Sequence, residues 1–166
     1  IKISQGAKPG FGAILPAKKN TKEIAKFRDV EQGTEIHSPA FHSAFDNDVE
    51  MLRFIRKLRK LSKGKPVGIK LCIGQQDEFE RMVQTFAEKQ NCPDFIAIDG
   101  AEGGSGAAHM ESLHWAGMPI IEAIHFANGI LKKYGLRDEI KVMAAGKIIS
   151  AFDIYRMMAL GADACY

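Results

Sequence analysis

The sequence predicts an α/β domain built on a parallel sheet. Three observations lead there. From residue 46 onward the hydrophobic period alternates between helical and strand-like stretches. The strand-like runs are short and almost wholly apolar, as strands covered on both faces are. Each is followed by an amphipathic stretch long enough to cross back over the sheet and start a parallel neighbour.

The elements follow in order. Asp46 or Asn47 caps a first helix with Val49, Leu52, Ile55, Leu58 and Leu61 on one face. Between them stand Arg53, Arg56, Lys57, Arg59, Lys60 and Lys63, which read as a solvated face unless the fold gathers them on one side. Gly64 and Pro66 end this helix, and a strand follows over residues 67–73 (VGIKLCI). Asp77 caps a second helix carrying Phe79, Met82, Val83 and Phe86, and beyond Pro93 comes a strand over 95–99 (FIAID). Pro119 fits the first turn of a third helix through Ile120, Ile124, Ala127, Ile130 and Leu131, stopped by Gly135. A strand over 140–145 leads to Ser150 and Asp153, spaced as a capping box, and a fourth helix that Gly161 ends. A last strand begins at Ala162. Residues 1–45 show no lasting period and read as an approach loop. It is ordered rather than disordered, because Phe11, Ile14, Leu15, Phe41 and Phe45 are too apolar to stay in water.

Composition narrows the function. With 23 Lys+Arg against 20 Asp+Glu, the net charge of +3 is too small and too scattered to predict a nucleic-acid partner. Charged residues recur too often to leave the roughly twenty apolar residues that a membrane helix needs. The N-terminus has no signal-peptide pattern. Cys72, Cys92 and Cys165 contain no CxxC pair and predict neither a disulfide framework nor a zinc site, so a reducing, cytoplasmic setting is expected. The chain begins without Met and ends as a strand starts, which predicts a piece of something longer.

In parallel α/β folds ligands bind at the carboxyl ends of the strands, so polar residues there are the candidates. Lys70 lies inside an apolar strand, where an ammonium is costly unless it meets an anion; it serves either a ligand or a structural ion pair. Asp99 ends the next strand and opens the loop Asp-Gly-Ala-Glu-Gly-Gly-Ser-Gly-Ala-Ala over 99–108. Its glycines Gly103, Gly104 and Gly106 allow close approach to a ligand and an inward-facing anion nest, or simply a flexible turn. Gly146 and Lys147 follow the third strand, where a backbone N–H and an ammonium can hold phosphate. The segment is not a P-loop, since position 141 is Lys. Lys70, Asp99 and Lys147 converge on one mouth. His37, His42, His109, His114 and His125 show no metal-ligand spacing, and no metal site is expected.

Taken together, residues 4–10 (SQGAKPG), 36–39 (IHSP), 67–71, the 99–108 loop and the Gly146-Lys147 turn resemble the FMN-binding synthase domain of glutamate synthases, and most of all its glutamate synthase-related branch. The resemblance implies a (β/α)8 TIM barrel, of which this chain covers about the C-terminal half, strands 5 to 8, with 1–45 as approach segment and 46–166 as β/α units of one domain. It also implies FMN at the mouth, with catalytic roles for Lys70 and Asp99 and cofactor contacts from Lys70, Gly103, Gly104, Ser105, Gly106, Gly146 and Lys147. Gln5, Lys8 and Ser38 would then bind a 2-oxo or imino acid. Reduced flavin would pass hydride to an imine, supplied with electrons by a donor protein or by NAD(P)H through a partner subunit, in an enzyme of glutamate biosynthesis and nitrogen metabolism. An iron-sulfur cluster would have its ligands outside this chain. The sequence departs from the family at Phe11, Gly12 and Ala13, where an acidic residue and two small ones are common, and at Ile14, where glutamine is frequent. Those changes predict an altered hold on a polar substrate. Two alternatives stand beside this: a barrel that binds a phosphate ester without flavin, and a non-catalytic half-barrel that forms homo-oligomers through its exposed parallel edges.

Overall fold

The computed structural model describes residues 1–166 except Phe11, Ser105, Gly106, Ala107, His109 and His114. The expectations placed on Phe11, Ser105, Gly106, His109 and His114 therefore lie outside the described residues.

The approach segment contains more structure than its sequence predicts. β1 (Ile14–Leu15) pairs antiparallel with β2 (Ile36–His37), and between them Thr21 caps a short helix, α1 (Lys22–Arg28). The helix escapes a search for periodicity because Ala25 is its only buried residue. The strands have two residues each, too few for alternation to show.

The remaining elements alternate as expected. In α2 (Asp48–Leu61) the cap is Asn47, whose side-chain oxygen accepts the Glu50 N–H at 3.0 Å; the Asp46 N–H is instead held by the Glu50 carboxylate. Met51, Leu52 and Ile55 are buried. Arg53, Arg56, Lys57 and Lys60 recur three and four residues apart and are exposed, so they share one solvent-facing stripe. Arg59 turns back to pair with Asp94 at 2.9 Å. β3 (Ile69–Leu71) is shorter than the expected 67–73, because Val67 gives its N–H to the Asp94 carboxylate rather than to a neighbouring strand. α3 (Gln76–Lys89) is capped at Gln75 and not at Asp77; the latter lies in the first turn, where its charge still complements the helix dipole. β4 (Phe95–Asp99) leads through the glycine-rich loop to α4 (Ile120–Lys133), with Pro119 at the cap position. β5 (Lys141–Ala145), α5 (Ala151–Leu160) and β6 (Ala164–Cys165) complete the chain, and Ser150 with Asp153 forms the capping box that the spacing predicts.

The sheet order is β3-β4-β5-β6, every pair parallel. An unexpected neighbour joins β3. The Lys70 N–H donates to the Ile1 carbonyl at 2.7 Å and the Ile3 N–H to the Lys70 carbonyl at 2.8 Å, so residues 1–3 run parallel along that edge. A strand order that never reverses puts the helices in one layer when every crossover has the same hand, as parallel connections almost always do, as in a (β/α) barrel and unlike a doubly wound sheet. Side chains divide accordingly. Ile69, Leu71, Ile96, Ile98, Val142 and Ala144 are buried against the helices with Phe86, Ile124 and Leu131, each fully buried large side chain contributing roughly 1.5–3 kcal/mol. Lys70, Ala97, Asp99, Met143 and Ala145 take the other face. Among the described residues no helix is long and apolar enough to cross a membrane.

Candidate functional site

Among the described residues, the inner face of the sheet carries one charged pair, at the carboxyl ends of β3 and β4. Register places Lys70 beside Ala97, two residues before Asp99 on the same face, and the Lys70 ammonium lies 3.3 Å from the Asp99 carboxylate. The Asp99 side chain is only 6% exposed, whereas Lys70 is 37% exposed and keeps a solvent-facing side. Its ammonium also lies 6.0 Å from the centre of the Tyr166 ring. The second Asp99 oxygen accepts the Gly6 N–H at 2.8 Å. That bond brings the QGAKPG segment onto the mouth, and it is made possible by Gly6: a Cβ there would stand 1.8 Å from the Gly100 carbonyl oxygen.

The other predicted residues assemble unevenly. A Cβ on Gly103 would lie 3.0 Å from an Asp99 carboxylate oxygen, so Gly103 borders the pair; one on Gly146 would lie 3.3 Å from the Gly100 nitrogen, so Gly146 packs against the backbone just beyond Asp99. Gly146 has φ 128°, a conformation that favours glycine, and Lys147 continues the turn with φ 47° and an exposed side chain. Gly104 is exposed beside Gly103, while Ser105 and Gly106 lie outside the described residues. The nest expected of the loop is only partly available. The N–H groups of Gly100, Ala101 and Gly103 already donate to the carbonyls of Ala145, Met118 and Gly100.

Lys8 is buried, 6% exposed, and its ammonium has no hydrogen-bond or ion-pair partner among the described residues. Burial, and after it the charge of Lys2, draws its ammonium below the usual lysine range. Gln5 accepts the Lys8 N–H with its carbonyl at 3.1 Å and a Lys2 ammonium proton with its side chain at 3.2 Å. Ser38 is held in the small ribbon by its N–H to the Ala13 carbonyl, and no hydrogen bond joins it to the Lys70–Asp99 pair.

Sequence reasoning missed three contributors. Ser4 ties the N-terminal strand to β3 by accepting the Cys72 N–H at 2.8 Å. Gly6 supplies the donor to Asp99. Glu102 accepts the first helical N–H of α4. Only Glu102 left a sequence signal, as an acidic residue inside a glycine run. Cys72 stands behind the site as a buried thiol, pushed up to about 11 by burial and then by the Asp99 charge. A hollow of about 1300 Å³ lies between the approach segment and the helices α2 and α3, lined by Ser4, Pro9, Phe45, Met51 and Phe79. It does not include the charged pair.

A sequentially ordered parallel sheet, its helices in one layer and its polar residues at the carboxyl ends of the strands, defines an α/β domain of the barrel type. The particular kind follows from comparison with known proteins. The family model described as a conserved region in glutamate synthase matches residues 1–166, and the chain belongs to that family. It is 42% identical to the glutamate synthase large subunit-like protein YerD of Bacillus subtilis, over 98% of this chain and 31% of that protein. It is 35% identical to the archaeal glutamate synthase [NADPH] of Methanocaldococcus jannaschii, over all of this chain and 32% of that one. With the chloroplastic ferredoxin-dependent glutamate synthase of Oryza sativa the identity is 32%, covering 98% of this chain and 10% of the relative. The chain thus spans about a third of the length of its bacterial and archaeal relatives. Among solved structures, a double mutant of flavocytochrome b2 with pyruvate bound superposes at a TM-score of 0.48 and 17% identity, over 96% of this chain and 33% of the other.

Proposed function

We propose that the mouth formed by Lys70, Asp99, Gly103, Gly104, Gly146 and Lys147 binds FMN in a glutamate synthase-type oxidoreductase, and that residues 1–166 are part of one barrel domain completed by further chain. The observation that carries this reading is a partly exposed ammonium held on the inner sheet face by a buried carboxylate, with the Gly103 and Gly146 backbones packed closely around Asp99 and Gly100 beside it. The donor set fits an anionic cofactor. Lys70, Lys147 and, on the neighbouring segment, Lys8 are cations, and among the described residues Asp99 is the only carboxylate that pairs with any of them.

Each residue has a separable role. Asp99 fixes the Lys70 side chain and, through the Gly6 N–H, the QGAKPG segment, so the site is oriented before a ligand arrives. Lys70 would hold its cation against the bound flavin, where it would favour the negatively charged reduced form. Lys147 and the turn at Gly146 receive the phosphate. Lys8, whose ammonium has no partner among the described residues, and Gln5 hold the carboxylate of a 2-oxo or imino acid; Ser38 is a further substrate contact only if that ligand reaches the ribbon. When bound, the flavin supplies the hydride that reduces the imine. Electrons come from a protein donor or from NAD(P)H through a partner subunit. The names of the rice and archaeal relatives give ferredoxin and NADPH for those proteins. Any iron-sulfur cluster takes its ligands from outside this chain.

Titrating the full-length apoprotein with FMN, riboflavin and simple phosphate esters tests the reading. Tight FMN binding with weaker riboflavin binding is the expected result. Binding of phosphate esters without flavin would overturn it in favour of a flavin-free barrel, and no binding at all would favour a non-catalytic module.

A further inference from the structure

Glu102 takes no part in the reading above, yet its side chain fastens the glycine-rich loop at its base. Pro119 stands at the cap position of α4 and offers no side-chain cap. The missing acceptor comes from across the loop: both Glu102 carboxylate oxygens lie within reach of the Ile120 N–H, at 2.9 and 3.1 Å. Beside it the Ala101 N–H donates to the Met118 carbonyl at 3.0 Å, and the Met118 N–H to the Ile73 carbonyl at 2.8 Å. The two ends of the 102–119 excursion are thus closed against each other and against the end of the β3 segment. Glu102 immediately precedes Gly103, which borders Asp99, and its carboxylate lies so near Gly100 that a Cβ there would approach it to 2.5 Å.

We propose that Glu102 is a positioning residue: its carboxylate latches the glycine-rich loop to the N-terminus of α4 and thereby sets where Gly103 and Gly104 stand against Asp99. This role rests on the reading of that loop as a wall of the flavin site. The negative charge suits the positive end of the helix. The required chemistry, however, is an oxygen acceptor on a side chain of this length. Glutamine keeps both properties and alanine keeps neither. The latch acts on the loop, since no hydrogen bond or ion pair joins Glu102 to Lys70 or Asp99.

The test uses the full-length protein as wild type, Glu102→Gln, Glu102→Ala and Asn47→Ala. The last removes the cap of α2, a cap of the same kind far along the chain from the loop. Two quantities are read well below the unfolding temperature: the FMN dissociation constant, and amide hydrogen exchange at Ala101 and Ile120. Glu102→Ala is expected to speed exchange at both amides and weaken FMN binding about fivefold, the ratio that loss of one helix cap of ordinary strength corresponds to. Glu102→Gln should stay within about threefold of wild type, and Asn47→Ala should leave FMN binding unchanged. Unaltered exchange in Glu102→Ala overturns the latch whether or not flavin binds. Faster exchange with unchanged FMN affinity overturns the positioning role, as does an equal loss in Asn47→Ala. If wild type binds no FMN, the flavin reading fails and the positioning role with it, while exchange still decides the latch.

Discussion

Replacing Gly6 with alanine and Gly129 with alanine should change stability in opposite directions, because the same added methyl meets different surroundings. At Gly6 the new Cβ would stand 1.8 Å from the Gly100 carbonyl oxygen and 2.8 Å from its carbon. Ordinary contact begins at 3.4 Å, so about 3.4 − 1.8 = 1.6 Å must open between two backbone segments, neither of which can rotate away as a side chain can. Opening it breaks the 2.8 Å bond from the Gly6 N–H to the buried Asp99 carboxylate. A hydrogen bond to a charged group contributes about 1.5–3 kcal/mol and overpacking costs about 1–3 kcal/mol. The two share one displacement and are not additive, so a loss of about 3 kcal/mol is expected. Gly129 lies inside α4, exposed, with helical φ and nothing within 4 Å of a new Cβ; alanine there should stabilise by about 0.5–1 kcal/mol. Urea unfolding of both variants, followed by circular dichroism, gives the two signs. A Gly6→Ala protein as stable as wild type would refute the docking of the QGAKPG segment on Asp99, and with it the assembly of the mouth.

Other consequences can be measured separately. Asp99→Ala leaves both the Lys70 ammonium and the Gly6 N–H without an acceptor. It should cost about 2 kcal/mol in urea unfolding, less than a fully buried pair would, because Lys70 is 37% exposed. Cys72, pushed up to about 11 by burial and then by the Asp99 charge, should resist iodoacetamide at pH 8 and react only as the pH approaches 11. The associated stability is present below the ordinary thiol value of about 8.5 and is lost as pH rises through the folded value. Mass-spectrometric mapping across a pH series reads this directly, and Asp99→Asn should move the onset downward. Asp153 is held below the usual carboxylate range by the Ser150 N–H, then the Ser150 hydroxyl and the Ile149 N–H. Its contribution is therefore present above the unfolded value of about 3.9 and is lost as pH falls through the folded value. Asp153→Asn should flatten the acid limb of a thermal-stability profile.

The sequence exposed those features that depend on local spacing. The capping box of α5 needs only Ser150 and Asp153 three residues apart, and the convergence of Lys70 with Asp99 follows from both standing at the carboxyl ends of adjacent parallel strands. Features made by contact between distant segments left no such trace. Gly6 and Asp99 are 93 residues apart, and nothing local in QGAKPG announces that one N–H reaches a buried carboxylate. The parallel run of residues 1–3 beside β3 is too short for alternation to register, and α1 presents a single buried alanine. The shift of a cap from Asp77 to Gln75 has a different cause: helix starts are set by backbone geometry, and an acidic residue is equally at home one turn inside. The cations of α2 illustrate a third limit. Composition could count them, but only the helix showed that Arg53, Arg56, Lys57 and Lys60 share one stripe while Arg59 serves the packing around Asp94.

The central claim is that Lys70 presents its cation to a flavin at this mouth, and it is tested most directly by the midpoint potential of FMN bound to full-length wild type and to Lys70→Met. Removing the cation should lower the potential, because the negatively charged reduced flavin loses its nearest countercharge while the oxidised form does not. A potential that stays the same in Lys70→Met, with FMN still bound, would contradict the account.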